Sequence, residues 1–132
     1  TLKAYRHAAY RVLHLKPFEL NIGGVSQSLL GLYNRRNFST SAFLTAYNPQ
    51  GVLCSNSKNK AAQSNLVDYL IKRSVDFIDG ISIDKKGRWP NENSVLALDL
   101  TIEDATMIGL NYNQNAFVWM GEDAKPELIL LR

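Results

Sequence analysis

Cysteine is almost absent from this chain, with Cys54 standing alone. A single thiol excludes an intrachain disulfide and fits a reducing compartment, so a cytoplasmic location is expected. Histidine is nearly as scarce. His7 and His14 have no carboxylate or thiol at ligand spacing beside them, which argues against a metal site, and no cofactor is expected. The sequence lacks GxGxxG, GxxxxGK[ST] and the GxSxG elbow. No apolar run approaches the ~20 residues of a membrane span. Lys3, Arg6 and Arg11 interrupt any signal-like apolar core near the start. Low-complexity tracts, internal repeats and linker-like stretches are missing too, so residues 1–132 are expected to form one domain.

What is present is ordinary for a globular protein: 45% hydrophobic and 20% charged residues. A chain of this length buries roughly two-thirds of its unfolded surface. Charge is unevenly placed. Residues 1–66 hold eight Lys/Arg and one acid, and residues 67–132 hold seven Lys/Arg and eleven acids. Two solvated faces of opposite sign explain this simply. A basic face for an anion or nucleic acid is the sharper reading. The cations stand singly or in pairs, without an arginine-rich arm, which argues against nucleic acid.

The hydrophobic pattern predicts alternating helices and strands. Residues 1–9 favour helix, and Tyr10-Arg11-Val12 pairs as a hairpin with Phe18–Ile22, whose apolar residues alternate. Gly23-Gly24 leads to Ser26, an N-cap for a helix ending near Arg36. Strand–Gly-Gly–helix also invites a phosphate-loop reading, with a plain tight turn as the simpler one. Ser41–Ala46 is a strand, and a helix beginning near Asn59 carries Ala62, Leu66, Tyr69 and Leu70 on one face. Val75–Ile83 alternates with a break at Gly80, and Lys85-Lys86-Gly87 bends the chain. Ser94–Leu100, apolar on both faces, is an interior strand. Thr101 caps a helix to about Leu110, and Ala116–Met120 and Glu127–Leu131 are strands. Short turns between strand pairs predict an α+β fold, with helices on a single mixed, mostly antiparallel sheet.

The stretch Ser41–Asn59 organises the functional reading. Its strand stops at Asn48-Pro49-Gln50-Gly51, and a polar run leads into a helix. Thr45, Asn48 and Ser55 lie there, with Asn59 at the helix start. Trp89 and Glu92 come from a later polar loop, and Gln114 and Asn115 from the link before a strand. All sit at element ends, where loops carry groups on a rigid scaffold. Glu92 is the acid among them and is the candidate general acid or base. The amides can donate and accept, and so recognise a polar ligand. Each residue also has a plain structural use, as a turn former, a helix cap or a partner for loop backbone. Cys54 and Ser55 lack a neighbouring base, so neither reads as a nucleophile.

The same residues resemble a known family. Ala4-Tyr5-Arg6 with Tyr10, Leu20–Gly23, Phe43–Pro49, Ser55 with Asn59, Trp89 with Glu92 and Ser94, and Gln114–Trp119 occur in family order. The chain thus resembles an uncharacterised bacterial family catalogued as domain of unknown function 3293. The resemblance implies a compact α/β-type domain and no assigned reaction, cofactor or catalytic residue. The functional expectation is a small polar ligand held at the strand ends, with or without catalysis. The alternative is a protein-interaction or regulatory module using an edge strand such as Leu128–Leu131.

Overall fold

The computed structural model describes residues 2–132. The elements follow the order α1 (Leu2–His7), β1 (Ala9–Val12), β2 (Phe18–Leu20), α2 (Gln27–Arg36), β3 (Ser41–Leu44), α3 (Asn56–Lys72), β4 (Phe77–Ile83), β5 (Glu92–Leu98), α4 (Ile102–Asn111), β6 (Ala116–Met120) and β7 (Glu127–Leu130). The fold is α+β, as the pattern predicts. The sheet has seven strands in the order β2-β1-β4-β5-β3-β6-β7. Every ladder among the described residues is antiparallel, which leaves no parallel component in the expected mixed sheet.

Alternation along the central strands builds two cores, because successive side chains leave a strand on opposite faces. On one face Phe43, Leu96, Val118 and Met120 pack with Leu29, Leu32 and Tyr33 of α2. On the other, Ala42, Leu44, Val95 and Phe117 pack with Leu66 and Leu70 of α3 and with Ala105 and Ile108 of α4. β5 and β3 lie mid-sheet and are buried on both sides, which explains their continuous apolar runs. In the first core the Tyr33 hydroxyl bonds the Ser41 hydroxyl at 2.9 Å and donates to the Met120 carbonyl at 3.2 Å. Burial pushes that phenol up to about 12.

Several boundaries move for physical reasons. The break expected at Gly80 does not occur, since β4 is continuous from Phe77 to Ile83. Gly80 is there because a Cβ would lie 2.7 Å from the Phe43 ring and 3.0 Å from the Arg11 carbonyl oxygen. Helix α3 starts at Asn56, earlier than expected, because the Ser55 hydroxyl accepts the Lys58 N–H. The Gly23-Gly24 turn keeps its donors for the protein. Gly23 donates to the Pro126 carbonyl, Gly24 to Asn21 and Ser26 to Ala124, which favours the plain tight turn over a phosphate loop.

Candidate functional site

Past Leu44 the chain leaves the sheet's pairing and bends at Tyr47 and Asn48. Its backbone donors need new partners, and α3 supplies them. Gln63 accepts the Ala46 N–H at 2.9 Å, and Asn59 accepts the Asn48 N–H at 2.8 Å. The spacing explains the fit. Asn59 and Gln63 stand four apart in α3, so their side chains share one face of the helix. Two polar side chains one helical turn apart therefore grip alternate N–H groups of this segment.

Asn48 ends this segment with φ +47°, a left-handed conformation that asparagine tolerates. Its side chain is fixed from both ends. Oδ1 accepts the Cys54 backbone N–H and the Asn59 amide, each at 2.9 Å. A backbone N–H can only donate, so Nδ2 is left to point the other way. It donates to Glu92 Oε2 at 2.7 Å, and the Trp89 indole N–H donates to the same oxygen at 3.1 Å. Glu92 sits at the first position of β5, opposite Ser82 of β4. Its Oε1 takes no hydrogen bond from the described residues and is not sealed off, so it opens into the space above.

That space is a cleft of about 870 Å³ between α1, the 84–90 loop and the sheet. Thr45, Asn48, Trp89, Glu92, Gln114 and Asn115 all line it. Thr45 is committed to structure, donating to the Asn93 carbonyl at 2.7 Å and accepting the Tyr47 N–H. Gln114 donates to the carbonyls of Tyr47 and Tyr112. Asn115 donates to the Tyr5 hydroxyl at 3.3 Å. Ser55 and Asn59 are not among the lining residues. Ser55 caps α3, and Asn59 lies buried behind Asn48.

Burial is the main influence on Glu92 and holds its carboxyl above the usual carboxylate range. The hydrogen bonds from Asn48 and Trp89 pull it part of the way back. The Tyr10 phenol donates to the Tyr5 carbonyl and is pushed well above its ordinary value, first by burial and then by Tyr5 and Glu92. A carboxyl that keeps its proton more readily, with one oxygen held and one open, can give a proton to a bound group or take one back.

Sequence reasoning missed Tyr5 and Tyr10 as lining groups, although both stand in the motif that carried the family resemblance. It also missed the cleft's basic residues. Lys85 and Lys86 read as part of a bend and Arg88 as part of the polar loop after it, and nothing local shows that they line the same cleft as Glu92. Cys54 contributes its backbone N–H to Asn48, while its thiol points to the Val52 carbonyl.

The fold and the cleft define an antiparallel α+β protein with a part-buried carboxyl lining an open cleft of mixed polar and apolar character. Residues 44–117, more than half of the chain, match the family described as Protein of unknown function (DUF3293), and the chain belongs to that family. The match takes in the Thr45–Pro49, Trp89–Ser94 and Gln114–Phe117 segments and leaves Tyr5 and Tyr10 outside. No curated protein and no solved structure matches the chain. No helix among the described residues is long and apolar enough to cross a membrane.

Proposed function

We propose that the protein binds a small polar ligand in this cleft and that Glu92 exchanges a proton with it. One observation carries the reading: Asn48 and Trp89 both hold Glu92 Oε2, leaving Oε1 without a hydrogen bond from the described residues on a side chain that lines the cleft. The volume, about 870 Å³, lies in the range of small-molecule sites. Tyr5, Tyr10 and Trp89 line the cleft as well and supply aromatic surface for a ligand body.

Thermal-shift screening of polar metabolites on the wild type and on Glu92→Gln tests this. The amide keeps the size and can still accept from Asn48 and Trp89, but it cannot carry the proton. Ligands that raise the wild-type melting temperature are expected to bind the variant about tenfold or more weakly, the loss of roughly one charge-assisted hydrogen bond. Equal affinity for the two proteins across all binders would remove Glu92 from the site.

An interaction module has one observation in its favour. β7 is an outer strand with an unpaired edge, and Leu130 on it is half exposed. Light scattering that shows concentration-dependent self-association, abolished by Leu130→Lys, would support that second reading.

A further inference from the structure

We infer that the cleft's ligand is a small organic oxyanion, with its charged head at the basic rim and a hydrogen-bond donor group at Glu92. The inference rests on the ligand-pocket reading above and adds the ligand's class and orientation.

The charge distribution carries it. Lys3 and Arg6 of α1 and Lys85, Lys86 and Arg88 of the 84–90 loop line the cleft, against the acids Asp84 and Glu92. The whole chain has fifteen Lys/Arg and twelve Asp/Glu. Removing these five cations and two acids leaves ten of each. The molecule's entire excess of +3 is therefore gathered around one concavity, from segments some eighty residues apart in sequence.

Among the described residues no salt bridge joins these cations to an acid, although the Asp84 charge lies close enough to act on Arg88. The salt bridge among the described residues, Arg11–Glu19, lies elsewhere. Asp84 turns into its own loop, where Oδ1 accepts the Lys86 N–H at 3.1 Å and Oδ2 accepts the Arg88 N–H at 3.0 Å. These backbone bonds, more than the nearby Arg88 charge, hold its carboxyl below the ordinary range. Asp84 therefore shapes the turn that presents the basic side chains. A concave site lined by one sign of charge concentrates the opposite sign.

The floor sets the orientation. When ionised, Glu92 repels an anionic head placed beside it, so the head stays with the cations of the rim. The group that reaches the floor is one that can donate, such as a hydroxyl, amine or amide N–H. The cleft is far larger than an inorganic ion needs, so the anion carries an organic body, and Tyr5, Tyr47 and Trp89 offer aromatic faces to it. Phosphate and carboxylate heads share this chemistry.

Calorimetric titration with matched pairs tests the assignment. The probes are ribose phosphate against ribose, adenylate against adenosine, and hydroxybenzoate against hydroxybenzyl alcohol. Wild type, Lys85→Ser/Arg88→Ser and Glu92→Gln are compared at low and high salt, after circular dichroism confirms that each is folded. At least one anion is expected to bind more tightly than its uncharged parent. Its affinity should fall about tenfold or more in the rim variant and weaken as salt screens the rim. Uncharged parents that bind as well as their anions, with binding lost in Glu92→Gln but kept in the rim variant, overturn this inference and leave the pocket reading standing. A panel in which nothing binds overturns both.

Discussion

Among single residues, Asn48 connects the scaffold to the chemistry. Its backbone N–H and Oδ1 belong to α3 and the turn, while its Nδ2 belongs to Glu92. The fold thereby reaches the carboxyl through one amide. Glu92 itself costs stability when charged, because burial raises its pKa in the folded state. The sign follows from linkage. A raised native pKa means that the folded protein holds this proton more tightly than the unfolded chain does. The contribution is full below the ordinary glutamate pKa and is lost as pH rises through the raised native value. Glu92→Gln has no such titration. Melting temperature followed from acidic to neutral pH should show the wild type losing ground to Glu92→Gln across that window. A difference between the two that stays flat with pH would mean that burial does not perturb Glu92.

At the level of elements, α3 supports the site by holding the segment that leaves the sheet after β3. Gln63 is the test of this, being a buried polar residue on a face otherwise occupied by Leu66 and Leu70. Gln63→Leu keeps the volume but leaves the buried Ala46 N–H without an acceptor. Such an orphan costs about 1–3 kcal/mol. Lys60→Leu on the exposed side of the same helix should stay within about 0.5 kcal/mol of wild type. Urea denaturation of the two variants measures the contrast, and equal costs would show that the Gln63–Ala46 bond contributes nothing.

The same grip marks what the sequence did and did not disclose. Apolar spacing located α2, α3, α4 and most strands among the described residues, because burial on a face is written in local spacing, whereas α1 was read from alanine content. Ser26 and Thr101 announced their caps for the same reason, and both hydroxyls accept the expected N–H. Asn59 and Gln63 were harder, since their partners lie on another element and nothing local marks a polar residue as buried. The basic rim was hardest. Lys3 and Lys85 are brought to one cleft by the β1–β4 ladder, a pairing between segments about seventy residues apart. Gly80 was misjudged because glycine in a strand suggests a bulge, whereas its neighbour Phe43 requires the missing side chain.

Across the whole molecule, two cores share one set of strands. The α2 core and the α3/α4 core have no residue in common, yet Phe43 and Leu44 are neighbours in β3, and Leu96 and Ala97 are neighbours in β5. Loss of packing on one face must loosen backbone that the other face uses. Unfolding should therefore be one event, as is usual for a chain of this length. Leu29→Ala, in the α2 core, is expected to cost about 2–5 kcal/mol. The residue to watch is Trp119, which packs against the opposite core. In a Trp89→Phe background it is the sole tryptophan of the chain. Its fluorescence midpoint in urea should move down with Leu29→Ala by the same amount as the far-UV circular dichroism midpoint. A Trp119 midpoint that stays in place while the dichroism shifts would mean that the two faces melt separately. The cleft would then have a mobile wall on the α2 side, because Phe43 and Val118 line it and belong to that core. A single shared midpoint instead means that this wall of the cleft unfolds together with the central strands.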